Sequence, residues 1–243
     1  MFGYELPGEL RDLMRGCDVR RHPHYEAGTE IYLLQRGDER LYLKVARGGG
    51  LGREWLVLRW IGDRLPVPEP VWFGEEGGRE FLVSGEVEGI PVYLVYEGDR
   101  SDAVIAMARA LRMIHSLDPS GCPFSYPVEG KVSALEEKLG ADGPGLSWLR
   151  EGMPAEEPVF THGDYCLPNV LVAEGELGGV IDWDFGGLAD RYVDFVLAVW
   201  SLGYNFGVGE AERVWAPLFF EEYGVELDRE RFRYYWRINE LLD

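Results

Sequence analysis

The first third of the chain alternates apolar and polar residues over short runs, a pattern typical of β-strands. Residues 29–34 and 40–46 form two such runs, and the pair Gly37-Asp38 between them predicts a hairpin turn. Two further strands are predicted at 71–73 and 80–84, joined by a turn at 75–78. A helix is predicted over residues 51–63, and residues 1–26, with apolar residues at helical spacing, are predicted to be peripheral.

The remainder of the chain is predominantly helical in its apolar periodicity. A helix is predicted from Asp99 to His115, and the Gly- and Pro-rich stretch 119–158 carries one short helix around 132–139. A strand at 158–161 and a hairpin of 170–172 with 179–181 follow, and three amphipathic helices close the chain at roughly 189–203, 210–223 and 228–242. This order predicts an α+β fold. A small β-rich N-terminal lobe spans residues 1–90, with a hinge near 84–90, and a mainly helical C-terminal lobe spans residues 91–243.

Composition limits the partners of such a protein. The chain has 243 residues, 46% of them hydrophobic, and a formal net charge of −19. That charge repels nucleic acid and anionic membranes, and it attracts a small cationic substrate, although a merely soluble acidic surface would look the same. Three cysteines without metal-ligand spacing, and the lack of a signal peptide or long apolar run, favour a cytoplasmic protein. A monomer and a homodimer both remain open.

The most informative stretch runs from Thr161 to Asp184. Asp164 is followed five positions later by Asn169, and Asp182 is predicted at the end of the second strand of the apolar hairpin. Four residues between an aspartate and an asparagine is the spacing of the kinase catalytic loop. Such a set of oxygen-bearing side chains suits two tasks, orienting a hydroxyl nucleophile and holding a divalent metal on a phosphate chain.

These residues resemble the aminoglycoside phosphotransferases, in particular their 3′-hydroxyl branch, which have a bilobal protein-kinase-like fold. The similarity covers nearly the whole chain, and its matching segments are 41–44, 65–68, 122–124, 162–169, 180–182, 189–194 and 239–242. The resemblance implies that Asp164 is the catalytic aspartate, which accepts or orients the proton of the substrate hydroxyl. It also implies that Asn169 and Asp182 are ligands of Mg²⁺, whose preference for hard oxygen ligands they meet.

The resemblance extends to nucleotide binding, with ATP or GTP as phosphate donor. Lys44 corresponds to the phosphate-binding lysine and Glu54 to its partner on the following helix. Gly28 and Thr29 correspond to the nucleotide loop, although the full glycine-rich motif is absent. The segment from Ser84 to Val87 corresponds to the hinge that contacts adenine through backbone groups. From the residues alone, Lys44 could instead be a solvent-facing lysine of an edge strand.

The motif Asp184-Phe185-Gly186 spells the metal-binding sequence of protein kinases, but the alignment with the family favours Asp182 as the metal ligand. Asp184 is left as a contact for a second ion or for the substrate. His162 is predicted to orient the loop, and Asp194 to accept hydrogen bonds from the backbone of the catalytic loop.

The sequence indicates the acceptor substrate less clearly than the nucleotide-binding and catalytic residues. Glu240 and the terminal Asp243 fit the acidic residues that surround aminoglycoside ammonium groups in the resembled family. Two departures are visible: the stretch 119–158 is short, and Tyr204-Asn205 stands where an acidic pair is expected. The acidic residues Glu129, Glu136, Glu137 and Asp142 could partly substitute, or simply lie on a solvated surface.

The leading hypothesis is therefore an ATP-dependent phosphotransferase acting on an aminoglycoside hydroxyl, with the 3′-hydroxyl favoured. The alternative is a kinase of another small hydroxylated substrate, such as another antibiotic, an amino sugar or a choline-like metabolite. A nucleotide-binding scaffold with a relic kinase fold would not need Lys44, Asp164, Asn169 and Asp182 intact. A metal-dependent hydrolase would need more histidines than this chain clusters.

Overall fold

A computed structural model describes residues 2–23, 28–95, 100–140 and 143–242. The chain divides into two compact units. The first comprises Met1–Glu88 together with Gly179–Phe185, and the second comprises Gly89–Gly178 together with Gly186–Asp243. A short piece of the C-terminal half, which includes Asp182, thus belongs to the first unit.

The first unit is built on a five-stranded antiparallel sheet in the order β1-β2-β3-β5-β4. Its strands are β1 Asp18–Arg21, β2 Thr29–Arg36, β3 Glu39–Arg47, β4 Pro70–Glu76 and β5 Arg79–Gly85. Its helices are α1 Gly8–Leu13 and α2 Leu51–Ile61, the latter followed by a 3₁₀ turn Gly62–Arg64.

Alternation along β3 explains how this sheet folds. Leu41, Leu43 and Val45 are buried on one face of β3, where they form a core with α1 and the N-terminal segment around Leu10. The intervening residues of β3, including Lys44, therefore point to the opposite face, on the side where α2 contacts β3, β4 and β5. Burying both faces fixes the register, because a slip of one residue would exchange them.

The second unit is mainly helical. Its helices are α3 Val92–Val95, α4 Arg100–His115, α5 Val128–Leu139, α6 Leu146–Glu151, α7 Tyr192–Phe206, α8 Val208–Glu210, α9 Ala216–Tyr223 and α10 Arg229–Leu242. A π-helical turn, Ala211–Trp215, joins α8 to α9. The buried ring of Phe195 on α7 packs edge-on against Phe220 and Tyr223, with centroids 5.1 and 4.8 Å away, and so joins α7 to α9.

Two small sheets accompany these helices. β10 Gly187–Asp190 pairs antiparallel with β7 Pro158–Thr161. β6 Ile90–Pro91, β8 Val170–Ala173 and β9 Glu176–Val180 form the other sheet, and a 3₁₀ turn, Leu167–Asn169, precedes β8. No helix within the described ranges is long and apolar enough to cross a membrane.

The predicted α+β fold with a β-rich N-terminal region and a helical C-terminal region is confirmed. Three local features differ from the prediction. Residues 1–26 include strand β1, for which no strand was predicted, and helix α6 was not predicted. Residues 187–190 are strand β10, so the next helix, predicted from roughly 189, begins at Tyr192. Strands β1 and β10 have four residues each, too few for a clear alternating pattern, and they pair with β2 and β7. The predicted start of α4 at Asp99 lies outside the described residues.

Candidate active site

Three charged side chains meet in the first unit. Lys44 lies on β3, paired with β2 on one side and β5 on the other, so it is not an edge-strand residue. Its Nζ donates to Glu54 Oε1 and Oε2 at 2.7 and 2.9 Å, and to Asp182 Oδ1 at 2.5 Å. The exposed fractions of the Lys44, Glu54 and Asp182 side chains are 16%, 3% and 33%. The structure therefore brings together three of the predicted site residues.

This triad carries one positive and two negative charges. Burial by itself lowers the pKa of Lys44, but the Glu54 and Asp182 carboxylates reverse that effect and raise it well above its ordinary value. Lys44 is consequently a fixed cation. Burial raises the pKa of Glu54, and the charge of Asp182 acts in the same direction. The triad thus has an excess of negative charge, which a bound cation would relieve.

The backbone around Asp182 is unusual. Strand β9 ends at Val180, so Asp182 lies in the loop after the strand and not at its end as predicted. Asp182 has a φ of +65°, a left-handed conformation that is uncommon outside glycine and best tolerated by Asp and Asn. The fully buried indole of Trp183 donates to Val180 O at 2.8 Å and fixes this turn. Backbone outliers held in this manner are frequent at functional sites.

Helix α2, which carries Glu54, is held at its N-terminus by a carboxylate from the sheet. The amides of Gly50 and Leu51 both donate to Glu80 Oε2 at 2.9 Å. A negative charge at a helix N-terminus satisfies amides that lack a partner in the helix and interacts favourably with the helix dipole. Sequence reasoning missed Glu80, because nothing in the pattern of β5 distinguishes it from a surface glutamate.

The residues predicted to contact the nucleotide elsewhere also lie in the first unit. Gly28 has a φ of +99° and immediately precedes Thr29, the first residue of β2. Ser84 is buried in β5. Of the predicted hinge, Gly85 N and Glu86 N already donate to Glu69 O and Arg40 O at 2.8 and 3.1 Å. These roles remain predictions.

The catalytic loop lies in the second unit. Asn169 Nδ2 donates to Asp164 O at 3.0 Å and to Asp164 Oδ2 at 3.2 Å. Asp164 N donates to Nδ1 of the fully buried His162 at 3.2 Å. The asparagine therefore orients the aspartate that precedes it by five residues, and His162 closes the turn between them and β7.

A buried carboxylate anchors this loop from α7. Asp194 accepts from His162 N and Gly163 N, both at 2.8 Å, as predicted. Gly163 has a φ of +82°, which explains the glycine at this position. His115 Nε2 lies 3.0 Å from Asp194 Oδ2, and His115 Nδ1 lies 2.9 Å from Tyr223 OH. Sequence reasoning missed His115, although it is one of only four histidines and ends a predicted helix.

The network controls the ionisation of Asp194. Burial acts to raise its pKa, but the hydrogen bond from His115, the charge interactions and the bond from His162 N outweigh burial and lower it below its ordinary value. Asp194 is therefore charged at neutral pH. A second anchor lies further along the loop, where Leu167 N donates to the buried Ser201 Oγ at 2.9 Å.

The residues predicted to bind substrate are dispersed. Asp184 lies in the first unit, and its carboxylate is close to Gly50. A Cβ atom placed on Gly50 would be 3.7 Å from Asp184 Oδ2. Glu240, on α10 of the second unit, accepts from Arg237 Nη1 at 2.9 Å and from Trp236 Nε1 at 3.0 Å. Its carboxylate is thus engaged within its own helix. Asp243 lies outside the described residues.

Across the described part of the chain, no group of three or more His, Cys, Asp or Glu side chains could hold a metal by themselves. Magnesium does not require such a group, because it keeps several waters and usually takes one or two protein oxygens in addition to phosphate oxygens. The carboxylate of Asp182 and the amide oxygen of Asn169 are donors of the right chemical type. Their chemistry therefore fits the predicted metal.

The first unit holds a lysine–glutamate pair with a metal-type aspartate, and the second holds an aspartate–asparagine loop. These residue types are the ones that kinase-like phosphotransferases use. The sequence model of the phosphotransferase enzyme family matches residues 25–235, and the chain belongs to this family. An aminoglycoside 3′-phosphotransferase of Niallia circulans is 31% identical over 257 residues, which cover 96% of each chain.

Solved structures of aminoglycoside phosphotransferases are also similar to this chain. The crystal structure of an aminoglycoside 3′-phosphotransferase of type VIII superposes with a TM-score of 0.79 at 28% identity, covering 96% of each chain. An aminoglycoside phosphotransferase of Streptomyces rimosus in complex with ADP and streptomycin has a TM-score of 0.76 at 23% identity, with 96% of this chain and 95% of that chain covered. The family identification made from the sequence is confirmed.

Proposed function

We propose that this enzyme transfers the γ-phosphate of ATP to a hydroxyl of an aminoglycoside, most specifically the 3′-hydroxyl. The observation that carries the reaction type is the Asp164–Asn169 pair held on a loop anchored by Asp194. The acceptor class is supported by the relative of Niallia circulans, which bears the name aminoglycoside 3′-phosphotransferase and matches over nearly its whole length.

The first unit supplies the groups that bind the phosphate chain. Lys44 is kept charged by Glu54, which fixes its ammonium in one position before any nucleotide arrives. An ammonium held in this way can contact phosphate oxygens without losing further side-chain freedom. Asp182 of this unit, and Asn169 of the second unit, carry the oxygens that would bind Mg²⁺. When bound, the ion neutralises part of the charge of the phosphate oxygens.

The second unit supplies the group that positions the acceptor. In this proposal the carboxylate of Asp164 accepts the hydrogen bond of the substrate hydroxyl and takes its proton. The new O–P bond forms as the bond between the γ-phosphorus and the bridging oxygen breaks, and ADP is the leaving group. The transition state of phosphoryl transfer is loose, so orientation contributes more than basicity. The hydrogen bond from Asn169 leaves the carboxylate few orientations, which is what this task requires.

The proposed acceptor also agrees with the charge of the protein. Aminoglycosides are polycations, and the net charge of −19 favours their approach through long-range attraction. We place the protein in the cytoplasm, where ATP is available.

The alternative acceptor is another small hydroxylated molecule with fewer positive charges. Two observations favour it: Tyr204 and Asn205 occupy a position where acidic residues were expected, and Glu240 is already bound by Arg237. A panel of acceptors decides between the two proposals. ADP release is measured with aminoglycosides, other hydroxylated antibiotics, amino sugars and choline, each with ATP and with GTP.

The matched variants are Asp164→Asn and Asp102→Asn. Asp164→Asn is expected to reduce kcat by at least about 10³-fold while nucleotide binding persists, because the proton acceptor is lost and the fold is not. Asp102 is an exposed aspartate on α4, and its replacement should leave turnover unchanged. Turnover by Asp164→Asn close to the wild-type rate would refute the role of Asp164. No response to any aminoglycoside would shift the proposal to the alternative acceptor.

A further inference from the structure

The loop that carries Asp182 contacts helix α2, and both lie in the first unit. We call residues 181–185 the Asp182 loop. The guanidinium of Arg53, on α2, lies over the ring of Phe185, on the loop, with Cζ 5.8 Å from the ring centroid. A positive charge at this distance from an aromatic face is a cation–π contact. Arg53 and Phe185 therefore join the helix to the loop by a contact that is separate from the charged triad.

Within the described part of the chain, the ring of Phe185 is the partner of the Arg53 guanidinium. Arg53 is half-buried, and its buried Nε has no hydrogen-bond partner among the described residues. None of the described carboxylates forms an ion pair with Arg53, although the chain carries 43 Asp and Glu residues. Arg40 of the same unit, in contrast, pairs with Glu86 at 3.1 Å. The position of the Arg53 charge is thus set by the loop and not by an acidic side chain.

A second link between helix and loop runs through the triad. Glu54 on α2 accepts from Lys44 Nζ, which also donates to Asp182 Oδ1 at 2.5 Å. In the proposed function Lys44 contacts phosphate oxygens and Asp182 binds Mg²⁺, so this link consists of groups that ligands engage. Arg53 and Phe185 have no such task. Their contact can hold the loop on the helix both with and without nucleotide.

The conformation of the Asp182 loop depends on contacts of this kind. The left-handed backbone of Asp182, with a φ of +65°, persists only where the surrounding structure holds it in place. On one side the indole of Trp183 donates to Val180 O at 2.8 Å. On the other side the loop ends at Phe185, three residues after Asp182, where Arg53 covers part of a ring that remains 50% exposed.

We propose that Arg53 and Phe185 are positioning residues whose contact holds the Asp182 loop on α2 and thereby sets the affinity for ATP in the presence of Mg²⁺. This inference rests on the proposed function and deepens it. Neither residue touches the nucleotide or the acceptor in this proposal. Both act through Asp182, whose carboxylate is displaced when the loop leaves the helix.

The test measures ATP binding to the full chain by titration calorimetry, once with Mg²⁺ and once with EDTA. Arg53→Met removes the charge but keeps a long side chain, and Phe185→Leu keeps apolar area without a π-face. Each should weaken binding with Mg²⁺ about two- to thirtyfold, the range for losing one cation–π contact. Binding in EDTA should change by less than about twofold, because Glu54 still holds Lys44. Phe185→Tyr keeps the ring and should behave as wild type.

The matched control is Arg59→Met, which removes another cation–π contact from the same helix. Arg59 lies over the ring of Trp55 with Cζ 5.5 Å from the centroid, and neither residue belongs to the Asp182 loop. This variant should leave both binding constants unchanged. A double variant, Arg53→Met with Phe185→Leu, should bind no more weakly than the weaker single variant, because both changes remove one and the same contact.

Hydrogen exchange provides a readout that needs no ligand. In the ligand-free protein, the amides of residues 182–185 should exchange about two- to thirtyfold faster in Arg53→Met and Phe185→Leu than in wild type or Arg59→Met. Equal thermal midpoints verify that the variants are folded.

The two hypotheses fail in different ways. If Arg53→Met and Phe185→Leu bind ATP with Mg²⁺ as tightly as Arg59→Met, or if their losses add in the double variant, the positioning role is overturned. Phosphorylation of an aminoglycoside by the wild type would still support the proposed function. A wild type that phosphorylates no acceptor and binds ATP equally with and without Mg²⁺ overturns the proposed function and the positioning role together.

Discussion

Replacing Asp194 by asparagine tests how the catalytic loop is held. The carboxylate of Asp194 is fully buried and its two oxygens accept from three donors: His162 N, Gly163 N and His115 Nε2. Asparagine has the same shape but offers one oxygen and one NH₂ group. Whichever way the amide is turned, the NH₂ group faces a backbone N–H, and at least one buried donor loses its acceptor.

The loss of stability in Asp194→Asn can be estimated from these hydrogen bonds. A hydrogen bond to a charged group contributes about 1.5–3 kcal/mol, and a buried donor left without an acceptor costs about 1–3 kcal/mol. We therefore expect Asp194→Asn to lower the free energy of unfolding by about 3–5 kcal/mol, in the range for breaking a buried charged pair. For a chain of this size, about 2–4 °C per kcal/mol gives a fall of roughly 6–20 °C in Tm. Displacing the loop by about 1 Å should also lower kcat about 100-fold.

The matched control is Asp190→Asn. Asp190 is also fully buried and accepts from Tyr192 N at 3.0 Å, from Glu157 N at 3.2 Å and from Arg231. None of these donors belongs to the catalytic loop. Its replacement should cost comparable stability with little effect on kcat at a temperature where the protein is folded. Scanning calorimetry gives the stability, and ADP release at 20–25 °C gives kcat.

The comparison separates positioning from stability. If Asp194→Asn lowers kcat no more than Asp190→Asn does at equal folded fraction, the anchoring role of Asp194 is wrong. If the free energy of unfolding falls by less than about 1 kcal/mol, the hydrogen bonds do not contribute as the geometry indicates.

Asp182, Glu80 and the ionisation of Asp194 can each be tested separately. Asp182→Asn keeps a residue type that tolerates the left-handed backbone but removes the negative charge. Magnesium-dependent ATP binding, measured by titration calorimetry, should therefore weaken at least about tenfold. If Asp184→Asn weakens this binding and Asp182→Asn does not, Asp184 is the metal ligand instead. Glu80→Ala should lower the free energy of unfolding by about 1–2 kcal/mol, because the N-terminus of α2 loses its cap. It should also raise the KM for ATP but not the KM for the acceptor, because Glu54 on α2 is held less firmly. The control Glu76→Ala, at the exposed end of β4, should change neither the stability nor the KM for ATP. The pKa of Asp194 is lowered in the folded state, so its contribution to stability is present above the ordinary aspartate pKa of about 3.9 and is lost as the pH falls through the lowered value. Below pH 4, the free energy of unfolding should therefore depend less on pH in Asp194→Asn than in wild type. An equal pH dependence in the two proteins would contradict the lowered pKa.

Long periodic elements could be predicted from sequence because their pattern is local. The hairpin of β2 and β3 follows from two alternating runs around Gly37-Asp38, and α4 follows from apolar residues at intervals of three and four. β1 and β10 could not be predicted in this way. Each has four residues, and Gly187 of β10 pairs with Thr161, a residue far earlier in the chain. Such strands acquire their conformation from the partner.

The candidate site, like the fold, could be predicted from the sequence only in part. The reaction type could be predicted from the residues alone, because Lys44, Asp164, Asn169 and Asp182 must be of these chemical kinds and Asp164 and Asn169 must be close in the chain. The contacts that hold these side chains are visible in the folded structure and not in the sequence. The bond from Lys44 to Glu54 joins a strand to a helix, and the bonds from His115 and the loop amides to Asp194 join two helices and a loop. Hydrogen bonds and burial depend on distances between atoms, and for residues far apart in the chain those distances are set by packing and not by any local pattern.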